Sequence, residues 1–140
     1  MIRRFSRKGP TFQMERDFWS KEFYCSCGFC MDQLVDTDLV SQLQMLRDEL
    51  KQSIRIKSGY RCERHNEQLI AQGLKASKKS QHLQGKAADI SVVGYSGSQL
   101  YEKAKKFFKA IGVGSGWIHV DTRPQRVVWF YDGLTADDLV

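Results

Sequence analysis

The chain has 140 residues, 41% hydrophobic and 27% charged, the size and make-up of one soluble domain built on a single core. This composition excludes a disordered or low-complexity chain beyond the ends, and no run of about 18 apolar residues exists to cross a membrane as a helix. With 22 basic against 16 acidic residues, a net charge of +6 and a pI near 9.2, the chain favours a polyanionic partner such as nucleic acid, anionic lipid or an anionic cell-wall polymer.

Taken in order, residues 1–140 read as one domain, in which 1–19 form a flexible or peripheral N-terminal segment. The basic start, Met1 to Pro10, lacks the apolar run of a secretory signal. Behind the capping group Asp36, the residues Leu39, Val40, Leu43, Leu46 and Leu50 recur at helical spacing and predict an amphipathic helix over 37–52. A short strand from Ile54 should run into a loop near Arg61, followed by a helix over 63–72 that stops at Gly73. The polar stretch 77–86 predicts a loop, and the small and β-branched residues 87–93 predict a strand ending at Gly94. A second amphipathic helix is expected over 99–111, closed by Gly112, with a turn-rich connector at 112–116. Strands are then expected over 117–121 and 126–131 around a turn at Pro124. Helices come early and strands mostly late, an α+β pattern with a small antiparallel sheet.

Three of the four cysteines cluster as Cys25-Ser-Cys27-Gly-Phe-Cys30, and Cys62 stands apart. The pair Cys27 and Cys30 has the bite of a zinc knuckle, and Cys62 or His65 could complete a tetrahedron. Reduced buried thiols, or a disulfide formed in an oxidising space, account for the same residues. Spacing alone leaves a second metal and disulfides both open.

Two of the three histidines stand near aspartates: His82 seven residues before Asp89, and His119 two residues before Asp121. On a strand, Trp117, His119 and Asp121 share one face while Ile118 and Val120 point the other way. A loop folding back at Gly85, with room left by the small Ala87, can bring His82 to the same ion as Asp89. Two imidazoles and a carboxylate are a common protein ligand set for a catalytic zinc with one position open to water.

The string Ser80-x-His82-x-x-Gly85-x-Ala87-x-Asp89, followed by Trp117-x-His119-x-Asp121 and preceded by Ser58-Gly59-Tyr60-Arg61, resembles the zinc D-Ala-D-Ala carboxypeptidase family. That family includes murein endopeptidases and bacteriophage endolysins and shares a fold with the Hedgehog signalling domain. The resemblance spans residues 20–131. It implies Zn2+ held by His82, Asp89 and His119, and Arg61 as the guanidinium that orients substrate or steadies an oxyanion. It also implies hydrolysis of an amide in the peptide stem of peptidoglycan, by a carboxypeptidase or endopeptidase, with no nucleic acid, no stable membrane association and a monomeric enzyme. Made in the cytoplasm without its own signal, such an enzyme is expected to reach the cell wall or periplasm after release.

One departure stands out. Several relatives place an acidic residue or a histidine shortly before the last zinc histidine as general base, where this chain has Val113, Gly114, Ser115, Gly116 and Trp117. Asp121 is the remaining candidate base, or instead accepts the second ring proton of a ligand histidine, the role favoured here. Trp117 is expected as an apolar cleft wall, and His65 as structural. The missing base leaves a non-catalytic zinc domain of the same fold as the alternative, with a nucleic-acid module ranked behind it.

Overall fold

The computed structural model describes residues 1–74 and 76–139. β1 (Ile2–Ser6) and β4 (Asp32–Asp36) pair antiparallel, as do β2 (Gln13–Glu15) and β3 (Phe18–Trp19). Residues 1–19 contribute β1, β2 and β3, which lie outside the main sheet. β4 escapes a pattern search because its inward positions include Gln33, a polar residue that is fully buried.

α1 (Thr37–Leu50) starts where Asp36 accepts from the Asp38 N–H at 3.0 Å and ends at Lys51 in the left-handed region. Its buried Leu39, Val40, Leu43, Leu46 and Leu50 belong to the central core, as the spacing predicts. β5 (Arg55–Ser58) and α2 (Glu63–Ala71) follow. The stretch expected as a plain loop contains a 3-10 turn, Gln81–Gln84, capped by the Ser80 hydroxyl. β6 (Ala87–Ser91) and α3 (Gly97–Ala104) come next, α3 opening on a capping box between Ser96 and Gln99.

The expected helix over 99–111 is thus shorter, and its last residues begin β7 (Ala110–Val113). The run Phe107-Phe108-Lys109-Ala110-Ile111 carries no decisive propensity, and pairing decides it: β7 lies between two other strands and every residue in it is buried. β8 (Ile118–Asp121) and β9 (Val127–Phe130) complete a five-stranded sheet of order β5-β6-β8-β7-β9. The expected antiparallel arrangement holds from β5 through β7, but β9 lies parallel to β7. β8 already has β6 and β7 on its two edges, so the chain reverses after β8 and takes the outer edge of β7 in the same direction as β7.

Register divides the sheet into two chemically different faces. Ala88, Ile90, Ile111, Val113, Ile118 and Val120 face the core that α1 and α3 share, and truncating any of the larger ones should cost about 2–5 kcal/mol. The opposite face carries Asp89 beside His119 and Ala87 beside Asp121, with Gly112 and Ala110 across from them on β7. No helix among the described residues is long and apolar enough to cross a membrane.

Candidate metal centre and its cavity

Asp89 and His119 are direct cross-strand partners on β6 and β8, so backbone pairing alone sets their carboxylate and imidazole side by side. The Asp89 Oδ1 lies 3.0 Å from His119 Nδ1 and 3.2 Å from His82 Nε2. His82 arrives from the 3-10 turn, which closes at Gly85 with φ of 71°. A Cβ at Gly85 would stand 2.3 Å from the Leu34 carbonyl oxygen, so glycine is required there both by conformation and by space.

The other nitrogen of each ring faces a group that can only accept. His82 Nδ1 donates to the Gly59 carbonyl at 2.7 Å, and His119 Nε2 donates to Asp121 Oδ2 at 2.7 Å. In neutral imidazoles those protons leave His82 Nε2 and His119 Nδ1 as bare lone pairs, both aimed at a carboxylate oxygen. Three electron-rich atoms converging in this way call for a cation among them. A tetrahedral ion with bonds of about 2.0–2.1 Å holds its ligands about 3.3 Å apart, and the His82, Asp89 and His119 ligand atoms all lie within 4.8 Å of one another. The donor set and its spacing fit zinc.

Asp121 sits beneath His119 rather than in the cavity. It is fully buried, and Arg123 grips it through Nε and Nη2 at 2.8 Å each as well as through its backbone N–H at 3.1 Å. Burial alone would raise its pKa, but the hydrogen bonds from His119 and Arg123 outweigh this and hold the carboxyl below its ordinary range. For His119 burial works downward, and the contacts with Asp121 and Asp89 push the imidazole above its usual value. With both oxygens engaged, Asp121 is suited to orienting His119 and poorly suited to accepting a proton from a reactant. Asp89 is half-buried; burial alone would raise its pKa, but where the two imidazoles are protonated and donate to it, as they can without a metal, they outweigh this and hold the carboxyl well below its ordinary range.

The ligand atoms open onto a cavity of about 320 Å³. Arg61 lines it, donating from one guanidinium nitrogen to Asn66 Oδ1 at 3.0 Å, while Asn66 in turn donates to the Ser77 carbonyl at 2.9 Å. The backbone N–H of Arg61 donates to the His82 carbonyl at 3.1 Å, which ties the Ser58–Cys62 loop to the ligand turn. Trp117 forms part of the wall as expected, stacked 4.9 Å from Tyr131. His65 lies on α2 with Nε2 3.3 Å from the Ser26 hydroxyl and does not join the trio.

Among the cavity residues that escaped the sequence reading are Arg123, Trp129 and Tyr131. The alternation Trp129-x-Tyr131 already puts both on one face of a strand. What it does not reveal is the pairing of β9 with β7, which sets Trp129 opposite Gly112. A Cβ on Gly112 would come within 2.6 Å of Trp129 and Tyr131, so the glycine gives the indole room to lie 5.1 Å from the His119 ring. Arg123, gripping Asp121, also stacks over Trp129 at 5.1 Å.

Comparison with known proteins places this geometry in a family. Residues 16–121 match the profile described as Peptidase M15. Over 98 residues, 66% of this chain, the sequence is 35% identical to the peptidoglycan L,D-endopeptidase MepK of Escherichia coli (strain K12), and the MepK of Shigella flexneri matches to the same extent. The chain spans about half the length of these relatives, 53% of each. The matched stretch holds Arg61, His82, Asp89, His119 and Asp121 together with the strands that align them, and by this match the chain belongs to the Peptidase M15 family.

Proposed function

We propose that this chain is a zinc-dependent peptidase that cuts an amide bond in the peptide stem of bacterial peptidoglycan, acting within the wall or periplasm. One observation carries the reading: two imidazoles, each with its other nitrogen committed to an acceptor, aim bare lone pairs at Asp89 beside an accessible cavity. Family membership and the L,D-endopeptidase relatives supply the substrate class, and on their account we take the cut as internal rather than the trimming of a terminal D-alanine.

His82, Asp89 and His119 would hold the ion, which supplies a Lewis acid for the scissile carbonyl and lowers the pKa of bound water towards about 7. The chain's own groups do the rest. Gly59 and Asp121 fix the ring orientations and tautomers of the two histidines. Arg61, anchored on Asn66, presents a fixed fork of donors to a substrate carboxylate or to the oxygen that gains charge in the transition state. Burial raises the Tyr131 pKa, so its phenol stays protonated in the cavity wall. Trp117, Trp129 and Tyr131 give the stem an apolar wall, and the net charge of +6 favours residence on an anionic polymer.

The alternative of a non-catalytic binding domain draws on the residues before His119, none of which can act as a base, and on the full engagement of Asp121. Digestion of purified peptidoglycan separates the two readings. Release of muropeptides that stops with a chelator and returns with zinc supports the peptidase, and mass spectrometry of the new ends names the bond. Retention on the polymer without release supports the binding domain.

A further inference from the structure

All four cysteines meet at a second place, outside the histidine cavity. Cys25, Cys27 and Cys30 come from the loop between the 3-10 turn Ser20–Phe23 and β4, and Cys62 caps the N-terminus of α2. Their sulfurs lie within 4.8 Å of one another, with Cys62 Sγ 3.9 Å from Cys27 Sγ. Four thiolates around one zinc, with bonds of about 2.3 Å, stand about 3.8 Å apart. A disulfide needs its two sulfurs at about 2.05 Å, far closer than the 3.9 Å between Cys62 and Cys27.

The sulfurs are ringed by N–H donors. Cys27 accepts from the backbone N–H groups of Phe29 and Cys30, each at 3.4 Å, the pattern of a knuckle that wraps its first ligand. Cys25 accepts from the Cys62 N–H at 3.3 Å, and Cys62 from the His65 N–H at 3.4 Å. Cys30 receives the Gln33 amide at 3.3 Å and the Arg7 guanidinium at 3.6 Å. Every sulfur therefore has at least one N–H pointed at it. Hydrogen bonds of this kind offset the negative charge that four thiolates bring to one ion.

The scaffold around the sulfurs is equally committed. Gln33, fully buried on β4, accepts from the Cys25 N–H at 2.7 Å and donates to the Cys30 carbonyl at 3.0 Å. Arg7 donates to the carbonyls of Cys30 and Cys25 at 2.8 and 2.7 Å. Two polar side chains, Gln33 on β4 and Arg7 in the turn after β1, thus hold the loop in the shape that points three sulfurs inward.

We propose that Cys25, Cys27, Cys30 and Cys62 form a closed tetrathiolate site for one structural zinc ion. With four protein ligands it leaves no open position, so its work is structural. Cys62 directly follows Arg61, and Tyr60 donates its N–H to the Phe23 carbonyl at 2.9 Å. The ion fastens the Ser58–Cys62 loop, which carries Arg61 and the Gly59 carbonyl behind His82, to the segment 20–30. Metal at the cysteines thereby steadies the wall of the cavity without touching substrate.

The test is metal content and cobalt spectroscopy on the full chain, purified under reducing conditions. The native chain is expected to carry two metal equivalents, and His82→Ala one. In the cobalt form, that remaining ion in His82→Ala should show the near-ultraviolet sulfur-to-cobalt charge-transfer absorption, which a site of nitrogen and oxygen ligands does not give. Cys27→Ser should lose this band. Should Cys27→Ser fail to fold, the His82→Ala spectrum decides alone. Absence of the band in cobalt-loaded His82→Ala overturns the proposal, as does an intact mass short of the hydrogens lost to disulfides in reductant. Iron in the purified protein overturns the choice of zinc. Failure of the histidine site has a different signature: one equivalent in the native chain that His82→Ala leaves in place.

Discussion

The histidine trio and the cysteine quartet are assembled by opposite means. Asp89 and His119 are locked together by strand register on β6 and β8, and only His82 comes from a turn. The four cysteines come from a loop and a helix cap, with no sheet pairing between them. The trio has three ligand atoms, fixed from behind by Gly59 and Asp121 and facing a cavity of about 320 Å³. The quartet has four, with N–H donors on every sulfur. A rigid frame with a vacant coordination position suits chemistry, and a saturated cluster between loops suits bracing.

Breaking the trio has the largest expected effect. His119→Ala should reduce peptidoglycan hydrolysis by at least about a thousandfold, since several kcal/mol of transition-state stabilisation leave with the ion. Muropeptide release in the presence of added zinc measures this, and activity within tenfold of the parent would refute the assignment. Arg61→Lys keeps the charge but loses the planar fork, and a drop of about a hundredfold in kcat/KM with metal content unchanged is expected. Equal kcat/KM in the two proteins would remove Arg61 from the reaction.

Asp121→Asn alters the support behind His119 and the carboxylate that holds Arg123. Weakening of zinc affinity by about 10–100-fold is expected, read by competition with a chromophoric chelator. In the metal-stripped protein the same variant has a distinct pH signature. Asp121 is held below its ordinary pKa and His119 above its own. The Asp121 contribution to stability is complete above its unfolded value of about 3.9 and is lost as pH falls through the lower folded value. The His119 contribution is complete below its unfolded value of about 6.5 and is lost as pH rises through the raised folded value. Urea unfolding should therefore show the widest gap between parent and variant from about pH 4 to 6.5, narrowing on both sides. A gap constant with pH would mean that the pair is not charged in the folded chain.

The smallest effect sharpens the boundary between the clusters. His65 adjoins Cys62, but its side chain contacts Ser26 and only its backbone N–H meets a sulfur. His65→Ala should retain the full metal content and change hydrolysis by less than about twofold, because no ligand or donor is removed. Loss of a metal equivalent in this variant would make His65 a ligand in place of one of the cysteines.

Much of this was legible before any coordinates, because it depends on local rules. The spacing of Leu39, Leu43, Leu46 and Leu50 behind Asp36 dictates α1 through the 3.6-residue period and a capped first turn. Alternation in Ile118-His119-Val120-Asp121 dictates which side chains look out of the core and which look in. The residues that could ligate a metal were readable from type and spacing alone. Three things depended on tertiary structure. The end of α3 and the start of β7 turned on which strands would pair with residues 110–113. The places of Trp129 and Tyr131 over Gly112 turned on β9 taking the far edge of the sheet. The choice between Cys62 and His65 turned on how a loop and a helix cap meet 37 residues apart in the chain. Periodicity reports which way a side chain points within its own element, whereas contacts between elements are set by the packing of the whole core, which no single stretch of sequence encodes.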